Sequence, residues 1–199
     1  MLDGVRRGIL GGTFDPPHMA HLVAGEAAFR QGGLDVVTYV PAGAPWQKAE
    51  RPVSSPHHRL AMTRLATDGV DYFAVDDCEV ARSGWTYTID TLLGFPDTED
   101  LVLILGADAA VGLGSWHRHA DVVERAEVAV LPRPGVSRAA VEEMLRSVRH
   151  HWLDTPEMAV SGTALRRHAG SGRSIRFLVP DPVWRYVENH RLYDGSHVS

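Results

Sequence analysis

The sequence predicts an α/β protein, an open, doubly wound parallel sheet with a small helical part at its C-terminal end. Three observations carry this. Short apolar runs of strand character recur along the chain, each separated from the next by a stretch of helical character. Such alternation favours parallel strands joined by right-handed crossovers. The first run, Gly8-Ile9-Leu10, passes through a glycine turn directly into a helical pattern at Ala20, Val23, Ala24 and Ala27, the kind of connection at which such sheets bind ligands. Finally, 199 residues with 44% hydrophobic and 23% charged content suffice for one substantial core. Residues 1–199 are therefore read as a single domain, with 156–199 as its C-terminal helical subregion.

The elements follow in order. Asp35 to Val40 reads as a second buried strand, stopped by Pro41-Ala42-Gly43-Ala44-Pro45. A mobile loop carrying Trp46-Gln47-Lys48 comes next. Ser55-Pro56, an N-cap followed by a first-turn proline, starts a helix through Leu60, Leu65 and Ala66. Tyr72 to Val75 reads as a third strand, extending as far as Val80. After the turn Ser83-Gly84-Trp85, residues Thr86-Tyr87-Thr88 begin a helix that stops before Gly94 and Pro96. Leu101 to Leu105 is the clearest buried strand, running into Gly106-Ala107-Asp108 and then an irregular segment with Trp116-His117-Arg118-His119. Val128 to Leu131 is a fifth strand, stopped by Pro132-Arg133-Pro134-Gly135, and an amphipathic helix spans Ser137 to Val148. His151 to Leu153 reads as a sixth strand. Ser161-Gly162-Thr163 caps a short basic helix to His168, and Asp181-Pro182 starts a last helix through Trp184 and Val187.

Composition narrows the function. A net charge of −5 gives no electrostatic reason to expect nucleic acid, so any nucleotide bound is a small one. The single cysteine, Cys78, rules out an intrachain disulfide framework and fits the reducing cytoplasm. Met1 to Arg7 lacks the apolar core of a signal peptide, and no stretch approaches the length of a membrane span. The expectation is a cytoplasmic protein with no membrane partner, for which a homo-oligomer is compatible with the sequence.

The chemistry concentrates in Gly11-Gly12-Thr13-Phe14-Asp15-Pro16-Pro17-His18-Met19-Ala20-His21. Glycines let the main chain approach an anion, and the N-H groups and positive end of the following helix attract it. Three residues apart at a helix start, His18 and His21 can face one side and donate to a single charged group. With no third ligand nearby in sequence, a metal pair is the weaker reading. The turn lacks the third glycine and the acidic residue after strand two that mark a dinucleotide fingerprint, and it lacks the Gly-Lys-Ser/Thr of a Walker loop. Taken alone, Asp108 reads as a helix N-cap or as a ligand group at a strand end. Trp116 reads as a structural aromatic or as a stacking face.

Gly-Gly-Thr-Phe-Asp-Pro followed by His-x-x-His resembles the signature of the nucleotidylyltransferase superfamily, whose fold is Rossmann-like. Four further segments make the fuller pattern similar to bacterial nicotinate-nucleotide adenylyltransferase: Pro45 to Lys48, Thr86 to Leu92, Gly106 to Asp108 with Trp116, and Val160 to Arg166. The resemblance covers nearly the whole chain. It implies transfer of the adenylyl group of ATP to nicotinate mononucleotide with magnesium (Mg2+), giving nicotinate adenine dinucleotide and pyrophosphate.

By that resemblance His18 and His21 hold the ATP phosphates, with His21 at the α-phosphate, assisted by main-chain N-H groups from the Gly11, Gly12, Thr13 and Phe14 turn. Ser161, Thr163 and Arg166 serve the β and γ phosphates, with Arg166 on the departing pyrophosphate, and Lys48 closes from its loop. Gly106 and Asp108 stand at the nucleotide, Asp108 toward a ribose hydroxyl or magnesium. Trp116 stacks on the pyridine ring, and the N-H groups around Trp85, Thr86 and Tyr87 bind its carboxylate. Ala20 stands where the pattern has glycine, and Gly162 where it has serine; both are read as tuning affinity. The alternatives are another small-molecule nucleotidylyltransferase, such as phosphopantetheine adenylyltransferase or a cytidylyltransferase, and a nucleotide-binding sensor that has lost the chemistry.

Overall fold

The computed structural model describes residues 4–43 and 53–194. Trp46, Gln47 and Lys48 lie outside the described residues. Six strands form one sheet: β1 (Arg6–Gly12), β2 (Val36–Pro41), β3 (Phe73–Val75), β4 (Asp100–Gly106), β5 (Ala126–Leu131) and β6 (His150–Trp152). All five pairings are parallel, in the order β3-β2-β1-β4-β5-β6, so the predicted doubly wound α/β fold is the one observed. The register sets Ile9 beside Thr38 on one side and Leu103 on the other. After β3 the chain returns to the other side of β1 to add β4. This reversal puts the switch point between β1 and β4, where the ends of two central strands diverge and leave a crevice.

Both faces are covered, which is why the central strands read as continuous apolar runs. Along β4, Leu101, Leu103 and Leu105 point to one core together with Ile9, Val128 and Val130. Val102 and Ile104 point to the other, with Leu10, Val37 and Ala129. The first core is closed by α4 (Thr88–Leu92), α5 (Ala107–Val111), α6 (His119–Arg125) and α7 (Arg138–Met144), and α1 (Met19–Gly32) packs on the second through Ala24 and Ala28. A third cluster, Met62, Ala66, Leu165, Val183 and Val187 among its members, joins α2 (Pro56–Thr67) to α8 (Gly162–Gly170) and α9 (Asp181–Asn189). The C-terminal part is helical as expected. Its core is shared with α2 and is not separate from the rest of the molecule.

The caps predicted from sequence are present at two helices. Ser55 accepts from the His58 N-H at 3.3 Å ahead of Pro56, and Ser161 accepts from the Ala164 N-H at 3.2 Å. Three segments differ from the expectation. β3 ends at Val75, because Asp76 accepts from the Cys78 N-H at 2.8 Å and turns the chain into a short helix, α3 (Cys78–Ala81). The segment after Asp108 is not irregular but consists of α5, a 3₁₀ turn at Leu113–Ser115 and α6. Its pieces are too short to show a helical period, and they are anchored by buried Leu113 and Val122. Finally, α7 stops at Met144, and Val148 N-H closes a turn on the Leu145 carbonyl at 2.8 Å.

Candidate active site

At the end of β1 the glycine turn opens the site. A side chain at Gly11 would touch nothing within 4 Å, so the space there is left to a ligand, whereas one at Gly12 would meet the Phe14 ring at 2.9 Å. Phe14 is 2% exposed with φ 50, a left-handed conformation that a bulky residue adopts only when its surroundings impose it. Its ring meets His21 edge-on at 4.9 Å and thereby supports the imidazole from behind.

His18 occupies the N-cap of α1 and His21 its third position. The His18 N-H donates to His21 Nδ1 at 3.1 Å, and the rings stack with centroids 3.8 Å apart. With Nδ1 accepting, the neutral His21 ring carries its proton on Nε2. The Tyr39 hydroxyl donates to the His21 carbonyl at 3.2 Å and fixes the first turn to the sheet. His18 is 3% exposed, and its burial, with a smaller contribution from the positive charge of Arg133, lowers its pKa from 6.5 to about 4.

This shift has a consequence for stability. An unfolded chain takes up the His18 proton near pH 6.5, while the folded one refuses it until about 4. Folded stability therefore falls as the pH drops through that window, by about 2–3 kcal/mol at pH 4.5. Urea denaturation at pH 7 and 4.5 measures this loss. His18→Asn is expected to shrink the difference by that amount, and an equal difference in both proteins would contradict the assignment.

Two cavities open at the carboxyl ends of β1 and β4, one of ≈ 700 Å³ and one of ≈ 420 Å³. The larger is lined by Gly11, Gly12, Thr13, Ala20, His21, Thr86, Tyr87, Gly106, Asp108 and Trp116. The smaller is lined by Thr13, Phe14, His18, His21, Asp108, Ser161, Thr163 and Arg166. Thr13, His21, Asp108, Arg133 and Pro134 belong to both, so the two meet at His21. Every described residue predicted for the site is thus brought to one crevice except Trp85. Trp85 is 51% exposed and lines neither cavity, whereas its neighbour Thr86 is 7% exposed and lines the larger one. Asp108 is not an N-cap. Gly106 holds that position on α5, and Asp108 stands in the first turn, 70% exposed toward the cavities.

Three residues that the sequence left without a role help to build this region. Arg133 follows β5 directly and lies 3.8 Å from Asp108 at the junction of the cavities. Its place just beyond a strand's carboxyl end was the available signal. Arg59, on α2, is fully buried, and its guanidinium donates to the carbonyls of Ser54 at 3.0 Å, Thr13 at 3.0 Å, Ala42 at 2.5 Å and Gly43 at 2.8 Å. Burial lowers its pKa. An arginine on a helix is normally solvated, so no sequence signal announced this one. Asp15, 2% exposed, accepts from the Tyr193 hydroxyl at 2.7 Å and from the Ser54 N-H at 3.0 Å.

Arg166 donates to the Asp15 carbonyl at 2.7 Å and to Thr163 Oγ1 at 3.3 Å. Gly162 makes this approach feasible, since a side chain there would lie 2.9 Å from the Asp15 carbonyl oxygen and 3.3 Å from Arg166 Nη1. The Ser161 oxygen accepts from its helix, which leaves the hydroxyl proton to donate. Histidines, arginines, hydroxyls and the start of a nine-residue helix converge on the smaller cavity, which is thereby fitted to a polyanion. The larger one, with apolar strand ends, Trp116 and Tyr87, is fitted to aromatic rings with polar attachments.

A family model described as cytidylyltransferase-like matches residues 9–168. A probable nicotinate-nucleotide adenylyltransferase of Dehalococcoides mccartyi is 37% identical, over 95% of this chain and 97% of its own length. One of Frankia casuarinae is 41% identical, over 94% of this chain and 100% of its own. Among solved structures, Plasmodium falciparum nicotinic acid mononucleotide adenylyltransferase complexed with NaAD superposes with a TM-score of 0.79 at 18% identity, over 96% of this chain and 98% of that one, a likeness of fold. By the extent of these matches the chain belongs to the cytidylyltransferase-like family and, within it, to the nicotinate-nucleotide adenylyltransferases.

Proposed function

We propose that this protein transfers the adenylyl group of ATP to nicotinate mononucleotide, releasing pyrophosphate. The observation that carries the reading is the meeting of an aromatic-lined cavity and a cationic one at His21. A phosphate oxygen of the mononucleotide attacks the α-phosphorus, and the bond from that phosphorus to the bridging oxygen breaks as pyrophosphate leaves. The nucleophile is already an anion, so no general base or covalent intermediate is needed, and positioning with charge neutralisation does the work.

Each group has a place in this scheme. His21 Nε2-H donates to the α-phosphate as charge grows on it, and the N-H groups of Gly12, Thr13 and Phe14 assist from the turn. Ser161, Thr163 and Arg166 hold the β and γ phosphates. Arg133, at the junction, neutralises the departing charge. His18, buried and neutral above about pH 4, serves chiefly to set the His21 ring through stacking and the His18 main-chain N-H. Ala20 lines the larger cavity, where its methyl group narrows the floor.

Among the described residues no group of three or more His, Cys, Asp or Glu could hold a metal ion. Asp108 is the carboxylate that lines both cavities. This fits a magnesium ion brought in on the triphosphate and ligated mainly by phosphate oxygens and water, with Asp108 as the protein ligand or as acceptor for a ribose hydroxyl. Bound there, such an ion would neutralise the charge of the transferring and leaving phosphates. No helix of the described residues is long and apolar enough to cross a membrane, in keeping with a cytoplasmic enzyme acting on small nucleotides.

For the acceptor, Trp116 offers its face to the pyridine ring, and the Thr86 and Tyr87 main chain offers donors to the carboxylate. Donors of this kind favour the acid, because an amide turns an N-H group toward one of them. Pyrophosphate release measured with ATP and each mononucleotide is expected to show a preference of about 10- to 100-fold in kcat/KM for the nicotinate form. Equal use of the amide would remove the carboxylate role from this segment. Binding of ATP without turnover on either substrate would favour the sensor.

A further inference from the structure

We propose that Tyr193, acting through the buried carboxylate of Asp15, keeps the Arg166 guanidinium available to the phosphate end of the cleft; this rests on the reading of Arg166 as a phosphate-binding group. The Asp15 side chain is 0% exposed, and a carboxylate in that position must find donors or a cation. Its Oδ1 is taken by the Tyr193 hydroxyl at 2.7 Å and its Oδ2 by the Ser54 N-H at 3.0 Å. Arg166 is therefore not drawn into a two-point pair. Its Nη1 stays 3.7 Å from Oδ2 and donates instead to the main-chain carbonyl of Asp15 at 2.7 Å. Held against the wall by a neutral acceptor, the guanidinium keeps its charge turned toward the cavity.

Tyr193 is delivered by the C-terminal part of the fold. Leu192 is buried in the cluster that joins α2, α8 and α9, and its N-H donates to the Val187 carbonyl at 3.0 Å, while Tyr193 has φ 72. Tyr193 and Asp15, 178 residues apart, are thus positioning residues for one arginine. Without the hydroxyl, Oδ1 is left buried with no donor, and the Arg166 guanidinium, already 3.7 Å from Oδ2, is a cation close enough to supply one. A tight pair would pull the guanidinium inward and away from an anion.

Calorimetric titration with inorganic tripolyphosphate tests this without relying on turnover. Tyr193→Phe is expected to weaken binding about 5- to 10-fold and to raise the KM for ATP by a similar factor, with kcat within about twofold. Adding Asp15→Asn removes the charge that draws the arginine inward, so the double variant should bind tripolyphosphate within about twofold of Asp15→Asn alone. A merely structural role predicts the opposite, with the second substitution adding to the damage. Unchanged affinity in Tyr193→Phe, or a double variant no tighter than that single one, overturns the proposal. Should Tyr193→Phe fail to fold, Asp15→Asn alone decides, since it must bind at least as tightly as the parent protein. Tripolyphosphate binding by a parent protein that shows no turnover would sink the proposed reaction and leave this coupling to be judged on affinity.

Discussion

Replacing His21 by alanine is expected to lower kcat about 10²- to 10³-fold, the usual cost of removing one donor aimed at developing charge. His21 lines both cavities, and its Nδ1 accepts from the His18 N-H at 3.1 Å, so Nε2 is the donor proposed for the phosphate. Phe14 behind the ring and Tyr39 on the main-chain carbonyl hold it in place beforehand, at no cost during the reaction. Alanine also removes the acceptor for the His18 N-H, which by itself costs about 1 kcal/mol at a helix start. His21→Asn separates the two effects. Its side-chain oxygen can accept from the His18 N-H, so stability should recover while turnover stays low. Steady-state pyrophosphate release and thermal denaturation of both variants check this. Turnover within tenfold of the parent in His21→Ala would reject His21 as the α-phosphate donor, and undiminished ATP binding without turnover in the parent would favour the sensor.

Arg59→Met should be the most destabilising single change at the site. The buried guanidinium satisfies four carbonyls, those of Thr13 in the glycine turn, Ala42 and Gly43 after β2, and Ser54 ahead of α2. Methionine fills much of the volume and leaves all four without their donor. The expected loss is about 4–5 kcal/mol, which in a chain of this size lowers Tm by roughly 10–15 °C. Arg59→Lys should be only a partial rescue, because an ammonium offers three donors and lacks the planar fork. Chemical denaturation measures both. A loss below about 1 kcal/mol for the methionine variant would mean that the turn and the segments at Gly43 and Ser54 hold their places without this cation.

The two experiments bear on one arrangement. The glycine turn, proposed to receive phosphate, is held by Arg59 at the Thr13 carbonyl, and the Asp15 that follows it is held by Ser54 and Tyr193. A site that works by positioning depends on such support, since the groups that touch the ligand are only as well placed as those behind them.

Much of this could be read in the chain. Apolar runs bounded by glycine and proline located all six strands, because a strand buried on both faces must be apolar along its length. Serine before a helical pattern located the caps of α2 and α8. The segments Gly11 to His21 and Ser161 to Arg166 stood out as site residues from their types and spacing, and the structure brings them to the two cavities that meet at His21. The turn at Asp76, the short helices after Asp108 and the early end of α7 were not legible, since each is decided by a single hydrogen bond or by one or two buried anchors.

By itself the sequence determined the class of fold, and it singled out the glycine turn and the pair of histidines that follows it, since these depend on local periodicity and on residues close together in the chain. Only the tertiary structure decided that β4 lies beside β1 and opens the crevice there, that Trp85 stands away from it, and that Arg133 stands at its junction. Only the tertiary structure, likewise, buried Arg59 and joined Tyr193 to Asp15. The reason is physical. Periodicity reports which face of an element is buried, but the partner of a buried charge is chosen by chain segments that meet only after folding.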